Sequence, residues 1–280
     1  MIYLDIAYVY IQKADEYLKG LIYAVAPIYK PENGDYQDVT VPLFTTLHST
    51  SESILVLLLH GGVFDADVLL RTLMEGTIKY CFLMNGSEQD RRERYEEYKV
   101  MLYEMAKLED HFKSTEAIEI IKKYSKNSTK PFEQDILDEL TVSALNSKYS
   151  TKIKNKIKSK WTYKNMLKEL AESDSNYEAQ LGTLTTYSMM SHFCHFDWNG
   201  VFSRQCQIED SQEKDANIWD TLHCLRILSN VMSMELFRIA EYLKKCRVPL
   251  PDVEKMALEI LDFVLQIDEY NNKIIEEKIK

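Results

Sequence analysis

The chain has 280 residues, a formal net charge of -10 at pH 7, 8 glycines and 6 prolines. The length suits one large domain or two small ones, and the acidic balance argues against a surface that binds nucleic acid everywhere. So few glycines and prolines exclude a turn-rich fold and favour long helices with few connections.

Apolar residues recur at helical spacing along most of the chain, and no segment has the period of a strand. Turn and capping residues separate the predicted helices: Pro27 ends the first, Gly61-Gly62 ends the second, and Asp65 or Asp67 caps the third. Two stretches, the lysine-rich run after Asn146 and Asn199–Ser211, are left without a predicted helix. The predicted helices are Ile2–Ala26, Val41–His60, Phe64–Met84, Glu88–Phe112, Ser114–Lys126, Phe132–Leu145, Thr162–Glu172, Tyr177–His195, Glu213–Lys245 and Asp252–Lys280.

This pattern predicts an all-α protein, a multi-helix bundle around buried central helices. We expect residues 1–280 to form a single helical domain. The break around 146–160 leaves two arrangements open, a boundary between two subdomains or one bundle with an inserted lysine-rich arm.

Charge is unevenly spread, with dense acids over Glu88–Glu119 followed by a run of lysines. The lysines are Lys148, Lys152, Lys154, Lys156, Lys158, Lys160, Lys164 and Lys168. Such a run is usually a solvated face, and we favour that interpretation. The alternative is a contact for the phosphates of RNA or another phosphate-bearing ligand, with Lys154, Lys156 and Lys158 at its centre.

The cysteines and the hydropathy of the chain predict its cellular compartment. The five cysteines are odd in number and show no C-x-x-C spacing, which indicates a reducing compartment. The first 30 residues lack the pattern of a signal peptide, and no apolar run reaches the about 20 residues of a membrane span. The sequence therefore predicts a cytoplasmic protein with no membrane partner. Its amphipathic helices favour a homo-oligomer.

Two charged residues stand within the apolar helix Phe64–Met84. Arg71 and Glu75 lie four residues apart on one face, so their side chains can pair. A helix that is apolar nearly all round is usually central and buried, and an unpaired charge buried there costs several kcal/mol. We therefore expect both side chains to have polar partners.

A second polar stripe lies on the helix that ends at His195. Tyr187, Ser191 and His195 are spaced four apart and share one helical face, whereas His192 lies off it. The neighbouring residues are apolar, which predicts another internal helix. The polar side chains of both helices gain hydrogen-bond partners if the helices pack side by side, so that Arg71 and Glu75 contact Ser191 and His195.

The cluster has two interpretations. In the structural one, a buried ion pair with polar neighbours fixes the register of two helices. In the catalytic one, His195 is a general acid or base tuned by Glu75, Ser191 lies beside it, and Arg71 holds an anion with Tyr187 at its side. Metal-ligand spacing is weak and no phosphate-binding loop is present, so we expect neither a metal nor a cofactor.

The order of these motifs resembles a widespread bacterial and archaeal family of unknown function. The matching residues are Leu69–Glu75 with its Arg-x-x-x-Glu spacing, Trp161 before a short helix, and Tyr187–His195, where the family has Tyr-x-x-Leu-Ser-x-x-x-His. The resemblance spans Ser49–Trp198, and Met190 replaces the usual leucine. It implies a helical fold and supplies no activity.

A looser similarity connects the chain to the helical HEPN ribonucleases of toxin and antiviral systems, which cut RNA without metal through an arginine and a histidine. In that family four to six residues separate the Arg from the following His on one helix, and this chain lacks such a pair. The sequence leaves two hypotheses: a metal-independent RNA-cleaving toxin or antiviral defence effector, and a non-enzymatic helical module that binds a partner or ligand.

Overall fold

The computed structural model describes residues 2–25, 37–125, 127–210, 216–245 and 250–278. Every regular element among them is a helix, so the predicted all-α fold is confirmed. In chain order the helices are α1 (Ile2–Val25), α2 (Gln37–Leu59), α3 (Val63–Met84), α4 (Glu88–Glu96), α5 (Tyr103–Tyr124), α6 (Lys130–Glu133), α7 (Glu139–Lys148), α8 (Thr151–Lys160), α9 (Tyr163–Ser173), α10 (Thr183–His195), α11 (Trp198–Asp210), α12 (Ala216–Lys245) and α13 (Pro251–Lys278).

The chain divides into two compact units. We call Met1–Asn85 with Leu167–Lys280 the bundle unit, and Gly86–Met166 the insert unit. The insert unit contains the predicted break at 146–160, where α7 ends at Lys148 and α8 begins at Thr151.

Two helices form the centre of the bundle unit. α12 packs against α1, α2, α3 and α13, and α3 packs against α2, α10 and α12. Leu70, Ile78, Leu225 and Val231 on these two helices are completely buried. Helices α3 and α12 carry apolar residues on most sides, so they are more stable when buried than when exposed to water. The prediction of buried central helices is confirmed.

The turn between α2 and α3 depends on glycine. Gly61 has a φ of +75°, a conformation that residues with a Cβ adopt only with strain. The predicted break at Gly61-Gly62 is therefore confirmed. The predicted cap is wrong, because Gly62 occupies the cap position without a side-chain hydrogen bond and Asp67 is completely buried.

The prediction that the helix ending at His195 is internal is also wrong. Of the residues on α10 only Met190 is buried, while Met189 just before it is 44% exposed. Helix α10 packs against α3 and α11, and most of its residues remain partly or fully exposed. Short 3-10 turns, Ser175–Tyr177 and Ala179–Gly182, replace the predicted first part of this helix.

Helix α11 forms where the sequence suggested an irregular segment. A Cβ at Gly200 would lie 2.4 Å from the backbone oxygen of His192. Only glycine therefore lets the start of α11 approach the end of α10 so closely. The sequence around Gly200 contains a glycine for packing rather than for a turn, which explains the wrong prediction.

The insert unit begins with one long helical rod. A π-helical turn, Glu97–Leu102, connects α4 to α5 without a break. The predicted break at Ser114 is wrong, because the Ser114 hydroxyl donates to Asp135 Oδ2 at 3.3 Å and Thr115 Oγ1 donates to the backbone oxygen of His111 at 2.8 Å. Both side chains hydrogen-bond within the unit instead of capping a new helix.

Trp161 anchors the core of the insert unit. Its indole Nε1 donates to Glu97 Oε2 at 2.9 Å, and its ring centroid lies 5.3 Å from that of Tyr98. The tryptophan is 5% exposed. A buried indole needs a partner for its N–H, and the π-helical turn supplies it through Glu97.

By length and composition, Asp38–Leu59 is the one helix in the described chain that is apolar enough to cross a membrane. The core helices of soluble proteins pass the same test, and this helix packs against α1 and α3.

Candidate functional site

Helices α3 and α10 bring part of the predicted cluster together. The Tyr187 hydroxyl donates a hydrogen bond to Glu75 Oε2 at 2.8 Å. The guanidinium carbon of Arg71 lies 4.6 Å from the centroid of the Tyr187 ring, a cation–π distance. Arg71, Glu75 and Tyr187 therefore form one contact group.

Glu75 has a closer cationic partner than Arg71. Lys79 Nζ lies 2.7 Å from Glu75 Oε1, and the two side chains are 27% and 31% exposed. Burial raises the pKa of Glu75, but the hydrogen bonds from Lys79 and Tyr187 and the charges of Lys79 and Arg71 outweigh it and lower that pKa. Glu75 is thus charged at neutral pH, while the buried Nε of Arg71 hydrogen-bonds to no residue of the described chain.

Ser191 and His195 do not join this group. Within the residues that the structure describes, neither side chain hydrogen-bonds to Arg71, Glu75 or Tyr187. Each four-residue step moves about 6 Å along a helix, so Ser191 and His195 lie about one and two turns beyond Tyr187. His195 is exposed at the last position of α10, and its catalytic role stays a prediction.

Because these contacts are partly exposed, substitutions in the contact group of Arg71, Glu75 and Tyr187 should lower the free energy of unfolding only slightly. We expect Arg71→Met and Glu75→Gln each to lower the free energy of unfolding by about 1 kcal/mol or less, because partly exposed ion pairs and cation–π contacts contribute little. Urea unfolding of both variants measures this, with Tyr187→Phe as the control that removes only the hydroxyl. A loss above about 3 kcal/mol would instead show a buried, structural ion pair.

A second polar group connects α3 to α12. Asp67 is completely buried, and its Oδ2 lies 2.6 Å from Nε2 of His223. Its Oδ1 accepts from Nη2 of Arg226 at 2.7 Å. One carboxylate therefore holds an imidazole and a guanidinium at fixed positions, in an arrangement that we call the Asp67 triad.

A cavity of about 230 Å³ lies between α3, α10 and α11, and Phe64 connects it to the Asp67 triad. Phe64 lines the cavity, and its ring meets the His223 imidazole edge-on at 5.8 Å between centroids. The guanidinium of Arg204, also on the cavity wall, lies 5.4 Å from the centroid of Phe64. The region thus combines a positioned histidine, two arginines and an aromatic surface.

The geometry determines which atoms of the triad can act on a ligand. Asp67 occupies Nε2 of His223, which leaves Nδ1 as the other ring nitrogen for proton transfer. His223 is 17% and Arg226 28% exposed, so both side chains reach solvent. Nη1 of Arg226 has no hydrogen-bond partner in the part of the chain that is described. A histidine oriented by a carboxylate, beside a guanidinium, suits acid–base chemistry on an anion.

A third polar group is completely enclosed in the bundle unit. Arg238 on α12 pairs with Glu235 one turn earlier, and its guanidinium also donates to Thr77 on α3 and Ser51 on α2. Nδ1 of His48 lies 3.6 Å from Glu235 Oε1. Both Glu235 and Arg238 are 0% exposed. We call these five residues the buried charge network, and its enclosure indicates a structural role.

Acid should weaken this network. Burial raises the pKa of Glu235, but Arg238, His48 and Ser51 outweigh it and lower that pKa below the ordinary value of 4.5. A carboxyl with a depressed pKa contributes stability that is present above pH 4.5 and lost as the pH falls further. We expect the urea midpoint of the wild type to fall more steeply below pH 4.5 than that of Glu235→Gln.

The control for the acid experiment is Glu52→Gln, which makes the same change at a glutamate that is 44% exposed and 3.9 Å from His48 Nε2. Its pH profile should follow the wild type. If the urea midpoints of the wild type and Glu235→Gln fell in parallel below pH 4.5, the lowered pKa of Glu235 would be contradicted.

The central part of the lysine run, Lys152 to Lys160, forms α8 in the insert unit, and acids of the same unit neutralise part of the run. Lys148 lies 2.7 Å from Glu104, Lys160 2.8 Å from Glu97, and Lys158 pairs with Glu109. Lys154 reaches only Asn146, at 3.5 Å, and the exposed Lys156 has no partner among the described residues. Of the three lysines predicted to bind phosphate, Lys154 and Lys156 keep a charge that no acid matches.

Sequence reasoning missed His223, Arg226, Glu235 and Arg238. The signal was present in α12, where charged residues interrupt an apolar helix as Arg71 and Glu75 do in α3. Asp67 was assigned to a cap because it follows a turn. Among the described residues no group of three or more His, Cys, Asp and Glu side chains is arranged to hold a metal ion.

The family described as a family of unknown function, DUF5677, matches residues 37–214. The chain belongs to the DUF5677 family. The match includes α3, α10 and the insert unit of this DUF5677 protein, and it ends before α12. His223 and Arg226 therefore lie outside the matched segment, whereas Asp67 lies inside it. No curated protein and no solved structure matches the chain.

Proposed function

We propose that this protein cleaves RNA without a metal ion at the Asp67 triad. The observation that carries the proposal is the completely buried carboxylate of Asp67, which holds His223 at 2.6 Å and Arg226 at 2.7 Å, with the His223 ring against Phe64 of the cavity wall. Imidazole and guanidinium together supply the two things that phosphodiester cleavage needs, proton transfer and neutralisation of negative charge.

The reaction assigned to the site is transfer of the phosphate to the neighbouring 2′-hydroxyl. Nδ1 of His223 accepts the proton of the 2′-hydroxyl, whose oxygen attacks phosphorus. The bond to the 5′-oxygen breaks, and the imidazolium returns its proton to that leaving oxygen. The products are a 2′,3′-cyclic phosphate and a free 5′-hydroxyl. Arg226 neutralises the charge on the phosphate, and Asp67 stabilises the imidazolium.

Charge elsewhere supports a nucleic-acid substrate. Lys154 and Lys156 of the insert unit have no acidic partner among the described residues and would contact backbone phosphates. Cleavage of cellular RNA would stop translation, which is the action of a toxin or an antiviral defence effector.

The direct experiment is incubation of the purified protein with total RNA in EDTA, followed by analysis of the fragment ends. We expect fragments that carry a 2′,3′-cyclic phosphate and a 5′-hydroxyl. Induction of the protein in a bacterial host should arrest growth. Intact RNA after prolonged incubation with about micromolar protein would refute the proposal.

The alternative is a non-enzymatic helical module that binds a ligand. A cavity of about 660 Å³ in the bundle unit favours it, because that volume suits a small molecule. Ligand binding by a protein that leaves RNA intact would decide for this alternative.

A further inference from the structure

Another cavity of the bundle unit lies apart from the Asp67 triad. It has a volume of about 660 Å³ and is bounded by α12, α13 and the two 3-10 turns before α10. Its walls are mainly apolar and include Phe237, Leu258 and Leu261. Sites of this size with apolar walls and a few placed polar groups are typical of small-molecule ligands.

A buried carboxylate lies at this cavity. Glu241 is 1% exposed, and its Oε1 accepts from the hydroxyl of Tyr177 at 2.8 Å and from Lys244 Nζ at 2.7 Å. Its other oxygen, Oε2, is buried and has no hydrogen-bond partner in the described chain. A buried acceptor without a donor costs about 1–3 kcal/mol, more if charged, so the cavity wall presents an unsatisfied acceptor to whatever fills it.

The neighbouring charges select the type of donor. Lys244 is already held by Asp174 at 2.7 Å as well as by Glu241, and a second carboxylate, Glu254, lines the cavity. Burial lowers the pKa of Lys244, but its two acidic partners outweigh burial and raise it. Two carboxylates and one ammonium thus line the cavity, and the ammonium is already held by Glu241 and Asp174, which disfavours an anionic ligand and favours a cationic one.

The Tyr177 hydroxyl adds no charge to the cavity and does not bind Oε2 of Glu241. Burial, with the nearby Cys81 and Glu241, raises the pKa of Tyr177 far above its ordinary value, so the phenol stays neutral and donates its proton to Oε1. Burial also raises the pKa of the Cys81 thiol to about 12, which keeps it neutral. Oε2 of Glu241 is left as the acceptor that a ligand can use.

We propose that this cavity binds a small amphiphilic amine, with the ammonium donating to Oε2 of Glu241 and the apolar body lying between Phe237, Leu258 and Leu261. The proposal uses none of the residues of RNA cleavage. It therefore stands or falls independently of that activity.

Isothermal titration with three probes of one chain length tests the charge preference. Octylammonium should bind at least about tenfold more tightly than octanol, because a charge-assisted hydrogen bond replaces a neutral one, and octanoate should bind more weakly still. Octanoate that binds as tightly as octylammonium, or octylammonium that shows no binding at about 1 mM, would overturn the proposal.

Three variants locate the site. Glu241→Gln should weaken octylammonium binding at least about tenfold and leave octanol nearly unchanged. Ala257→Phe fills the cavity from α13 and should abolish binding of both, whereas Leu265→Phe, at an exposed position of α13 outside the cavity lining, should leave it within about twofold. Unchanged octylammonium binding by Ala257→Phe would refute the site even if Glu241→Gln failed to fold.

Discussion

Replacement of Arg238 by methionine is expected to lower the free energy of unfolding by about 3–5 kcal/mol, the range for a broken buried ion pair. The variant leaves Glu235 with 0% exposure and without its strongest partner, with the His48 imidazole 3.6 Å from its carboxylate. The hydroxyls of Thr77 and Ser51 lose their donor as well. Urea unfolding at pH 7 measures the loss.

Two further variants distinguish the loss of the Arg238–Glu235 ion pair from the loss of a positive charge in general. Lys255→Met removes the same charge from an ion pair on α13 whose two side chains are 77% and 47% exposed, and it should cost about 1 kcal/mol or less. The double variant Arg238→Met with Glu235→Leu should recover most of the stability, because apolar residues can replace a buried pair at little cost. A loss below about 1 kcal/mol from Arg238→Met alone would contradict the buried charge network.

Replacement of His223 by glutamine is expected to lower the rate of RNA cleavage by about 10²–10⁴-fold, the contribution of a positioned general acid or base. The glutamine amide can still donate to Asp67, so the local structure should persist, but it cannot exchange a proton at neutral pH. The rate of fragment formation from a labelled RNA in EDTA measures the change.

The stability of His223→Gln is the necessary control. His223 is partly exposed, so its unfolding midpoint should stay close to that of the wild type. A rate within about threefold of the wild type in a folded variant would remove His223 from the mechanism.

Most of the fold could be predicted because helical periodicity is a local property. Pro27 and Gly61-Gly62 mark helix ends in the sequence, and the structure confirms the break at Gly61-Gly62, while Pro27 lies outside the described residues. The errors at Ser114 and Gly200 have one cause. Serine and glycine favour turns in isolation, but here tertiary contacts use the hydroxyl for a hydrogen bond and the missing Cβ for close packing.

The candidate site could be predicted only in part because it depends on pairing between distant helices. The spacing of Arg71 and Glu75 correctly indicated polar partners, and Tyr187 is one of them. The partner of Asp67 lies 156 residues away on α12, and no local pattern specifies which face of α3 meets which face of α12. The charged residues within the apolar helix α12 are the feature of the sequence that indicates a second polar group.

The most direct test of the proposed function compares two histidines on one RNA. His223→Gln and His195→Gln are assayed beside the wild type at equal folded concentration in EDTA. The proposal predicts that His223→Gln loses about 10²–10⁴-fold in rate while His195→Gln, changed at an exposed position at the end of α10, stays within about threefold of the wild type. Loss of cleavage in His195→Gln with full activity in His223→Gln would contradict the Asp67 triad and support the site inferred from Arg71, Glu75, Ser191 and His195.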